Sequence, residues 1–360
     1  MALTEYAVNH PLAVKRWSEK LNREALKRTY ISRFIGNTSS SLIQKKTEVS
    51  KAAGDRITVG LRMQLSGTGT QGDDTLEGNE EQLTTYSDNV FINQLRHAVR
   101  SKGKMSEQRV TFSVREEAMD ALADWYADRM DAAFFNQIAG NASQTDTKYT
   151  GNQVAIEPSS SRYLFFSAAA TSNATMHTLE SSISTTDSFQ LTILDRAVTL
   201  AKTATPLIRP VKVNGEDFYV AFLHPYQVFN LRTDATANRV TWYDTQKARI
   251  QGGQTGESAN PIFNGALGVY NNVVLHESTR IPTALSNTSA RRAVLCGAQA
   301  ALIAFGQEQS SDDNPAWREE MFDYGNQLGV AASKIWGLKK SVFNSTDFGT
   351  IVMSTYAVAP

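Results

Sequence analysis

Residues 67–72 of this chain match the G-x-G-x-x-G pattern of loops that bind dinucleotide phosphates. Such a loop needs a strand before it and a helix after it, because the helix N-terminus faces the phosphate. A strand-like stretch does precede the pattern, but an acidic stretch follows it in place of an apolar helix. Its carboxylates would repel a phosphate, so we predict a flexible hairpin tip with no cofactor. The acidic residues are Asp73, Asp74, Glu77, Glu80 and Glu81.

The histidines and acidic pairs form no recognisable catalytic or metal-binding pattern. The 5 histidines are scattered, and none is spaced from another as metal ligands are. The sequence has no G-x-S-x-G elbow, Walker loop or H-E-x-x-H motif. His224 precedes Pro225, so we predict that it caps a helix rather than acting as a general base. Acidic pairs that could hold a cation, but more simply form solvated turns or helix starts, are Asp73/Asp74, Glu116/Glu117 and Asp312/Asp313. We therefore expect neither a metal nor an enzyme.

The composition is that of a globular protein with a sizeable core. The 360 residues could hold about two domains, with 41% hydrophobic residues and 36 basic against 36 acidic ones. This balance argues against a surface devoted to gripping nucleic acid. The single cysteine, Cys296, excludes an internal disulfide and a multi-cysteine zinc site and fits a reducing compartment. Because Cys296 lies in an apolar run, we predict a buried core residue.

Charged residues interrupt the start of the chain, so we expect no signal peptide. No segment approaches the ~20 apolar residues of a membrane span. We therefore expect a protein that contacts no membrane and stays in the cytoplasm where it is made.

Residues 47–113 have the pattern of a long two-stranded arm. Apolar and polar residues alternate along the outgoing strand, so one face needs cover. The apolar members are Ile57, Val59, Leu61, Met63 and Leu65. An isolated hairpin is marginally stable in water, and the neighbouring sequence offers no dedicated cover. We therefore predict that another copy of the chain covers this arm.

Residues 1–46 are predicted to form a basic arm with a helical stretch. Up to Arg33 it carries seven basic and three acidic residues, a net charge of +4. Either these charges are a solvated helix face, or they lie near nucleic acid or an acidic partner protein. The residues proposed for the second role are Lys15, Arg16, Lys20 and Arg23.

The clearest helix is predicted over residues 115–139, within a unit spanning 114–189. Ser113 and Glu116 form a capping box before it, and Gly140 ends it. Its 25 residues give a rod of about 37 Å. The Ser-, Thr- and Asn-rich residues 141–188 are predicted to be exposed loop with short strands.

Residues 190–310 are predicted to form a compact mixed α/β domain, and residues 311–360 a C-terminal segment. The domain opens with a helix from Leu191, and a hairpin follows around Asn214 and Gly215. Residues 350–356 read as a strand that closes a sheet.

Two blocks of sequence go beyond these general patterns. The first is RHAVRSKGKMSEQRV, residues 96–110, which leads into the predicted helix. The second is MFDYGNQLGVAASKIWGLKKSVFNSTDFG, residues 321–349, preceded by LCGAQA at 295–300. Together they resemble the major capsid proteins of tailed bacteriophages, in particular those of the N-four-like phages. The resemblance covers most of the chain from about residue 87 to 356.

The resemblance implies an α+β fold of the Hong Kong 97 type. Residues 1–46 would be its N-terminal arm, 47–113 its extended β-hairpin loop and return strand, and 114–189 its peripheral domain with the spine helix. Residues 190–310 would be the axial domain, and 311–360 would return to the peripheral domain.

As function, the resemblance implies a self-assembling shell of hexamers and pentamers around double-stranded DNA. Expected partners are further copies of the chain, a scaffolding protein and a portal, with a decoration or cement protein as a further candidate. DNA contact would be non-specific, and the virion capsid would be assembled in the host cytoplasm. The alternatives are an encapsulin-type nanocompartment shell, which packages enzymes, and a soluble hydrolase or nucleotide-binding enzyme.

Overall fold

A computed structural model of the chain describes residues 30–46, 54–109, 113–213, 215–234, 242, 266–306 and 316–360. The four basic residues proposed for the N-terminal arm, Lys15, Arg16, Lys20 and Arg23, lie outside the described residues, as does the acidic pair Asp312/Asp313.

Most strands belong to two sheets. The six-stranded sheet has the order β1-β2-β12-β14-β13, with β5 also paired to β14. Its strands are β1 (Ile35–Gly36), β2 (Ile43–Lys46), β5 (Asn93–Arg100), β12 (Ala301–Phe305), β13 (Ala316–Phe322) and β14 (Gln327–Lys340). The seven-stranded sheet has the order β6-β17-β11-β8-β10-β9, with β7 paired to β8. Its strands are β6 (Tyr163–Phe165), β7 (Val211–Val213), β8 (Glu216–Leu223), β9 (Gly268–Tyr270), β10 (Val273–Glu277), β11 (Ala290–Cys296) and β17 (Thr350–Tyr356).

Two small hairpins and four α-helices complete the described structure. The hairpins pair β3 (Arg56–Arg62) with β4 (Thr85–Phe91), and β15 (Val342–Phe343) with β16 (Thr346–Asp347). The helices are α1 (Lys104–Gln108), α2 (Val114–Ile138), α3 (Leu191–Thr203) and α4 (Pro225–Thr233). Short 3-10 helices span Tyr30–Phe34, Thr147–Tyr149, Ser160–Arg162, Asn173–Thr175 and Glu180–Ser182.

Helix α2 is the predicted long helix, and it begins one residue earlier than expected. The Ser113 side chain accepts a hydrogen bond from the Glu116 backbone N–H, as the capping pattern predicted. The first half of α2 packs Met119 and Leu122 against Trp317 and Val330 of the six-stranded sheet. Its second half enters the main core, which also includes residues of the seven-stranded sheet. This helix therefore contacts both sheets and joins them.

The main core centres on aromatic rings from separate parts of the chain. Phe134 and Phe135 of α2 and Phe222 of β8 are fully buried, with Phe222 within 5.7 Å of both other ring centroids. Burying a side chain of this size stabilises the fold by about 1.5–3 kcal/mol. Tyr30 and Phe34 of the first 3-10 helix pack onto the same rings. The Asp131 carboxylate on α2 fixes this segment by accepting the backbone N–H groups of Tyr30 and Ile31 at 3.0 and 3.1 Å.

Residues 141–188 were predicted to be exposed loop with short strands, and the structure only partly agrees. The short strand is present as β6, but several polar side chains that suggested exposure are buried, among them Arg162, Glu180 and Asp187. Each of these side chains makes at least one hydrogen bond inside the protein, which offsets part of the cost of burying it. Phe166 is buried as well, so parts of this segment belong to the core, while other parts, including Val154 and Leu179, are exposed as predicted.

The predicted domain boundaries remain a proposal. Each of the two sheets contains strands from more than one of the predicted domains. Strand β12 lies within the predicted axial domain, 190–310, but it pairs with β2 and β14 of the six-stranded sheet. Strand β17, assigned to the segment returning to the peripheral domain, pairs with β11 and β6 of the seven-stranded sheet. The chain thus passes between the sheets at the short turn after β11 and again after β16, where no composition change marks the crossing.

Across the described part of the chain, no helix combines the length and the apolar character needed to span a membrane.

Candidate assembly surfaces

The two strands of the predicted arm pair as an antiparallel hairpin. The register runs from Arg56 opposite Phe91 to Arg62 opposite Thr85. The predicted alternation is present: Ile57 is buried and Val59, Leu61 and Met63 are half-buried, while the residues between them are exposed. One face of β3 is therefore apolar, as its sequence pattern indicated.

The base of the arm is covered by its own chain. Ile57 is only 6% exposed and packs with Val90, Leu302 and Ala304, the last two from β12. Towards the tip this cover ends, and Leu65 is 59% exposed. Contact between these apolar residues and a neighbouring subunit remains a prediction. Leu61, Met63 and Leu65 are more solvent-exposed than Ile57 and are therefore better placed for such a contact.

Strand β4 is tied closely to β14 and the turn after it. The Lys339 ammonium forms an ion pair with the Asp88 carboxylate, whose second oxygen accepts the Val342 N–H at 3.0 Å. Gly337 lies so close to β4 that a Cβ atom there would be 1.9 Å from the Phe91 carbonyl oxygen. The base of the arm is thus a fixed part of the molecule.

The glycine-rich pattern lies at the tip of the arm, as predicted. The Glu81 carboxylate accepts hydrogen bonds from the backbone N–H groups of Ser66, at 2.7 Å, and Gly67, at 2.6 Å. These bonds lower the pKa of Glu81. Gly69 and Gly72 adopt positive φ angles, which glycine adopts without strain. A carboxylate of the chain itself therefore takes the backbone donors that a phosphate would need.

The tip, which we define as residues 63–84, exposes three large apolar side chains, of which the strand pattern singled out only Leu65. Leu65, Leu76 and Leu83 are 59%, 59% and 53% exposed. The same residues 63–84 carry five acidic and no basic side chains. The sequence did contain a sign of this exposure. Leu76 and Leu83 lie in an acidic, glycine-rich stretch that has too few apolar residues to form a core.

A buried ion pair links three parts of the chain. The Arg292 guanidinium on β11 donates to both oxygens of the Glu180 carboxylate, at 2.9 and 3.0 Å. The Tyr163 and Ser354 hydroxyls also donate to Glu180, and another Arg292 nitrogen donates to the Gly140 carbonyl at 2.9 Å. Burial raises the pKa of Glu180, but the Arg292, Tyr163 and Ser354 hydrogen bonds outweigh burial and lower it to about 2. The pair holds β11 against the end of α2.

A second buried ion pair lies where β14 meets the β15–β16 hairpin. The Lys340 ammonium is 2.8 Å from the Asp347 carboxylate, and both side chains are almost fully buried. Lys340 also donates to the Ile156 carbonyl at 3.1 Å, and Asp347 accepts the Ser159 N–H at 3.2 Å. Burial lowers the pKa of Lys340 and raises that of Asp347. This pair anchors the loop before β6 to the six-stranded sheet.

Two residues considered for chemistry have structural roles, as predicted. The His224 Nδ1 atom accepts the Tyr226 N–H at 3.2 Å and caps α4, while the Gln227 side chain accepts the His224 N–H at 3.0 Å. Burial, with a smaller contribution from the charge of Arg291, lowers the pKa of His224 to about 4. Cys296 is fully buried in β11, and burial raises the pKa of its thiol.

One cluster contains the residue types of a serine hydrolase without their geometry. His177 lies 3.0 Å from Asp187, but the Ser184 hydroxyl donates to the same Asp187 oxygen, at 2.9 Å. A catalytic serine needs the histidine between itself and the acid, and here both residues contact the acid directly. The hydrogen bonds of this cluster therefore hold together the segment from His177 to Asp187. Within the described residues, no three His, Cys, Asp or Glu side chains are grouped to hold a metal ion.

Comparisons with known proteins match this chain to phage capsid proteins. The family described as "Phage capsid protein" matches residues 5–359. A "Major capsid protein" of Pseudomonas phage KPP25 is 30% identical over 93% of both chains. The capsid of Ralstonia phage GP4 is 34% identical, with a TM-score of 0.77, over 100% of this chain and 99% of that one. The capsid of cyanophage Pam1, at 20% identity and a TM-score of 0.72 over 100% of this chain and 95% of that one, supports the fold alone.

These matches confirm the predicted fold class and the predicted kind of function. The relatives named here are phage capsid proteins, which favours the capsid hypothesis over the nanocompartment shell and the enzyme. Two relatives match almost the whole chain at 30% identity or more, so the likeness is not confined to one domain. The chain belongs to the family of phage capsid proteins and has the Hong Kong 97-type capsid fold.

Proposed function

We propose that this chain is the major structural subunit of a tailed-phage head and assembles into hexamers and pentamers of an icosahedral shell around double-stranded DNA. The observation that carries this proposal is the arm. Its base is fixed by Asp88 and Lys339, while Leu65, Leu76 and Leu83 at its tip are more than half exposed. A rigidly mounted segment that exposes apolar side chains is suited to contact another protein.

The arm contributes to assembly by burying these side chains on a neighbouring subunit. Fully burying one leucine is worth about 1.5–3 kcal/mol, and the ordering of a flexible tip offsets part of that gain. A single such contact is weak. Many copies joined in a closed shell hold one another through multivalency, so modest contacts suffice.

The basic residues Lys15, Arg16, Lys20 and Arg23 are proposed to lie near the packaged genome or a neighbouring subunit. Contact with DNA would be to its phosphates and would weaken as salt increases. A scaffolding protein, a portal and a decoration or cement protein are further proposed partners, with assembly in the host cytoplasm. The proposed role is structural and includes no catalytic step.

Replacing residues 66–81 by an Asn-Gly turn tests the role of the arm. The β3–β4 pairing would remain, because Arg62 and Thr85 close the register before the tip. The shortened chain should fold with unchanged thermal stability but fail to form particles in sedimentation and electron microscopy. Leu207→Ala, which truncates an exposed leucine elsewhere, should assemble normally. Particle formation by the shortened chain at the parental level would contradict the proposed role.

The nanocompartment alternative is separated by particle contents. Particles from infected cells should contain double-stranded DNA, detected by nuclease-resistant absorbance at 260 nm and extraction. Particles that instead hold a defined enzyme and no DNA would contradict the capsid proposal.

A further inference from the structure

Helix α2 carries a row of acidic side chains along one side. The row advances by three or four residues at each step, which keeps its members on one face of the helix. Its first three members are exposed, the fourth is half-buried and the last is buried. Like charges one turn apart destabilise a helix, so this face favours a cationic partner. We call it the acidic row; its members are Glu117, Asp120, Asp124, Asp128 and Asp131.

The last member of the acidic row holds the first described residues of the chain. The Asp131 carboxylate accepts the backbone N–H groups of Tyr30 and Ile31 at 3.0 and 3.1 Å. The segment that precedes Tyr30 therefore approaches the core beside the last turns of α2. The same end of the row also binds a cation, because the Arg280 guanidinium forms an ion pair with the Asp128 carboxylate.

The sequence before Tyr30 repeats the spacing of the acidic row with basic residues. Tyr30 and its partner Asp131 are 101 positions apart. The same offset connects three further pairs, each of a basic and an acidic residue, and a fourth base, Lys20, is 100 positions from Asp120. The three pairs are Arg16 with Glu117, Arg23 with Asp124, and Lys27 with Asp128. The charges of the two rows are therefore complementary at every step.

A constant offset is what two parallel helices lying side by side produce, because both rise by the same amount per residue. The basic row from Arg16 to Lys27 and the acidic row from Glu117 to Asp128 have the same length, about 16 Å as helices. Only two residues separate Lys27 from Tyr30, so the observed contact of Tyr30 fixes the position of this end of the basic row. An antiparallel arrangement would not keep the offset.

We propose that residues 14–29 dock as a helix on the acidic row of α2 in the same subunit, parallel to α2, with their four bases facing the first four acids of the row. The inference goes beyond the proposed function, since it gives the N-terminal arm a partner within the subunit and does not require assembly. A short isolated helix is marginal in water, and single exposed ion pairs are weak, so the row acts through its four pairs together. Lys15 lies more than a quarter turn off the row and stays available for the contacts proposed above.

Oxidative cross-linking of the full chain tests the offset directly. The variant Arg23→Cys/Asp124→Cys, oxidised with copper phenanthroline, should form a disulfide within one chain, identified by mass spectrometry of the linked peptides and by monomeric migration on a non-reducing gel. The control Arg16→Cys/Asp128→Cys places the two thiols about 16 Å apart along the helices and should stay reduced. The native Cys296 is fully buried and should not contribute. No link in the first variant, equal linking in the control, or disulfide-linked dimers would overturn the inference, because dimers would place the arm on another copy.

Charge reversal gives a second, independent test. Arg16→Glu/Arg23→Glu should speed amide hydrogen exchange in residues 14–27 by about tenfold, because it places acids against the acidic row. Glu117→Arg/Asp124→Arg should have the same effect from the other side. Combining the four substitutions exchanges the charges of the two rows and should restore most of the protection. Hydrogen-exchange mass spectrometry of the full chain measures all three variants.

The control Glu216→Arg/Asp217→Arg changes exposed acids on another hairpin and should leave exchange in residues 14–27 unchanged. A combined variant no better protected than either pair of substitutions would contradict the docking. So would a parent chain whose residues 14–27 exchange as fast as an unfolded peptide. If the parent forms particles but shows neither the link nor the protection, only this inference fails. If both are found in a chain that never assembles, the inference holds and the proposed function fails.

Discussion

Arg292 and Glu180 form a two-point ion pair in the protein interior, with N–O distances of 2.9 and 3.0 Å. The same arginine donates to the Gly140 carbonyl just beyond the end of α2. The pair thereby connects the seven-stranded sheet to α2, and the first half of α2 packs against the six-stranded sheet. Because the arm is mounted on the six-stranded sheet, this connection sets how the arm is held relative to the rest of the subunit.

Removing one partner of this pair should strongly destabilise the subunit. Glu180→Gln or Arg292→Met leaves an uncompensated buried group and should cost about 3–5 kcal/mol, measured by urea unfolding. The double variant Glu180→Leu/Arg292→Met removes both charges and should cost less than either single change. Single variants within 1 kcal/mol of the parent in urea unfolding would show that the pair is not a stabilising link.

The same pair predicts a loss of stability in acid. The pKa of Glu180 is lowered to about 2 in the folded protein from an ordinary value of about 4.3. Its contribution is therefore complete above about pH 4.3 and is lost as the pH falls towards 2. Urea unfolding of the parent and of Glu180→Leu/Arg292→Met between pH 5 and pH 3 should show a steeper decline for the parent. Parallel declines would contradict this assignment.

The cap of α4 predicts a separate pH effect nearer neutrality. The pKa of His224 is lowered to about 4 by burial, and then by Arg291, so the unfolded chain takes up a proton first as the pH falls. Stability should fall between about pH 6.5 and pH 4, by at most about 3 kcal/mol. His224→Asn keeps a capping acceptor without titrating and should remove this part of the pH dependence. An unchanged pH profile in that variant would assign the effect to other groups.

Substitutions of Ile57 and Leu65, two apolar residues of the same strand pattern, should have different effects: one on folding and the other on assembly. Ile57→Ala should destabilise the isolated subunit by about 2–4 kcal/mol, because it empties the space between the arm and β12. Leu65→Ala should leave subunit stability unchanged and lower the particle yield, since Leu65 is 59% exposed. Thermal unfolding and quantitative sedimentation measure the two effects. Equal particle yields for Leu65→Ala and the parent would remove Leu65 from the interface.

The contact between Gly337 and the Phe91 carbonyl should make the base of the arm sensitive to a single methyl group. A Cβ atom at residue 337 would meet the Phe91 oxygen at 1.9 Å, so Gly337→Ala should force β4 away from β14. The expected cost is about 1–3 kcal/mol, together with faster amide exchange in β4. Gly60→Ala, where nothing lies within 4 Å of the added Cβ atom, is the control. Unchanged exchange in β4 would contradict this prediction.

The sequence predicted elements whose signals are local. The Ser113–Glu116 cap and the apolar spacing after it define α2, and strand alternation from Ile57 defines β3. The cap at His224 follows from Pro225 at the first helical position. Each of these depends on residues within a few positions of one another.

Long-range pairings were not predictable in this way. Glu180 and Arg292 are 112 positions apart, and nothing near either residue indicates its partner. The expectation of an exposed loop for residues 141–188 was wrong for Arg162, Glu180 and Asp187 for the same reason, because partners elsewhere in the protein allow these polar side chains to be buried. The membership of β17 in the seven-stranded sheet likewise depends on its pairing with β11.

Self-assembly is the central claim, and expression of the full chain followed by size separation and electron microscopy of the heavy fraction tests it most directly. We predict closed shells or capsomer-sized rings, formed by the chain alone or together with its phage's scaffolding protein. A chain that stays a folded monomer in both conditions would contradict the proposed assembly.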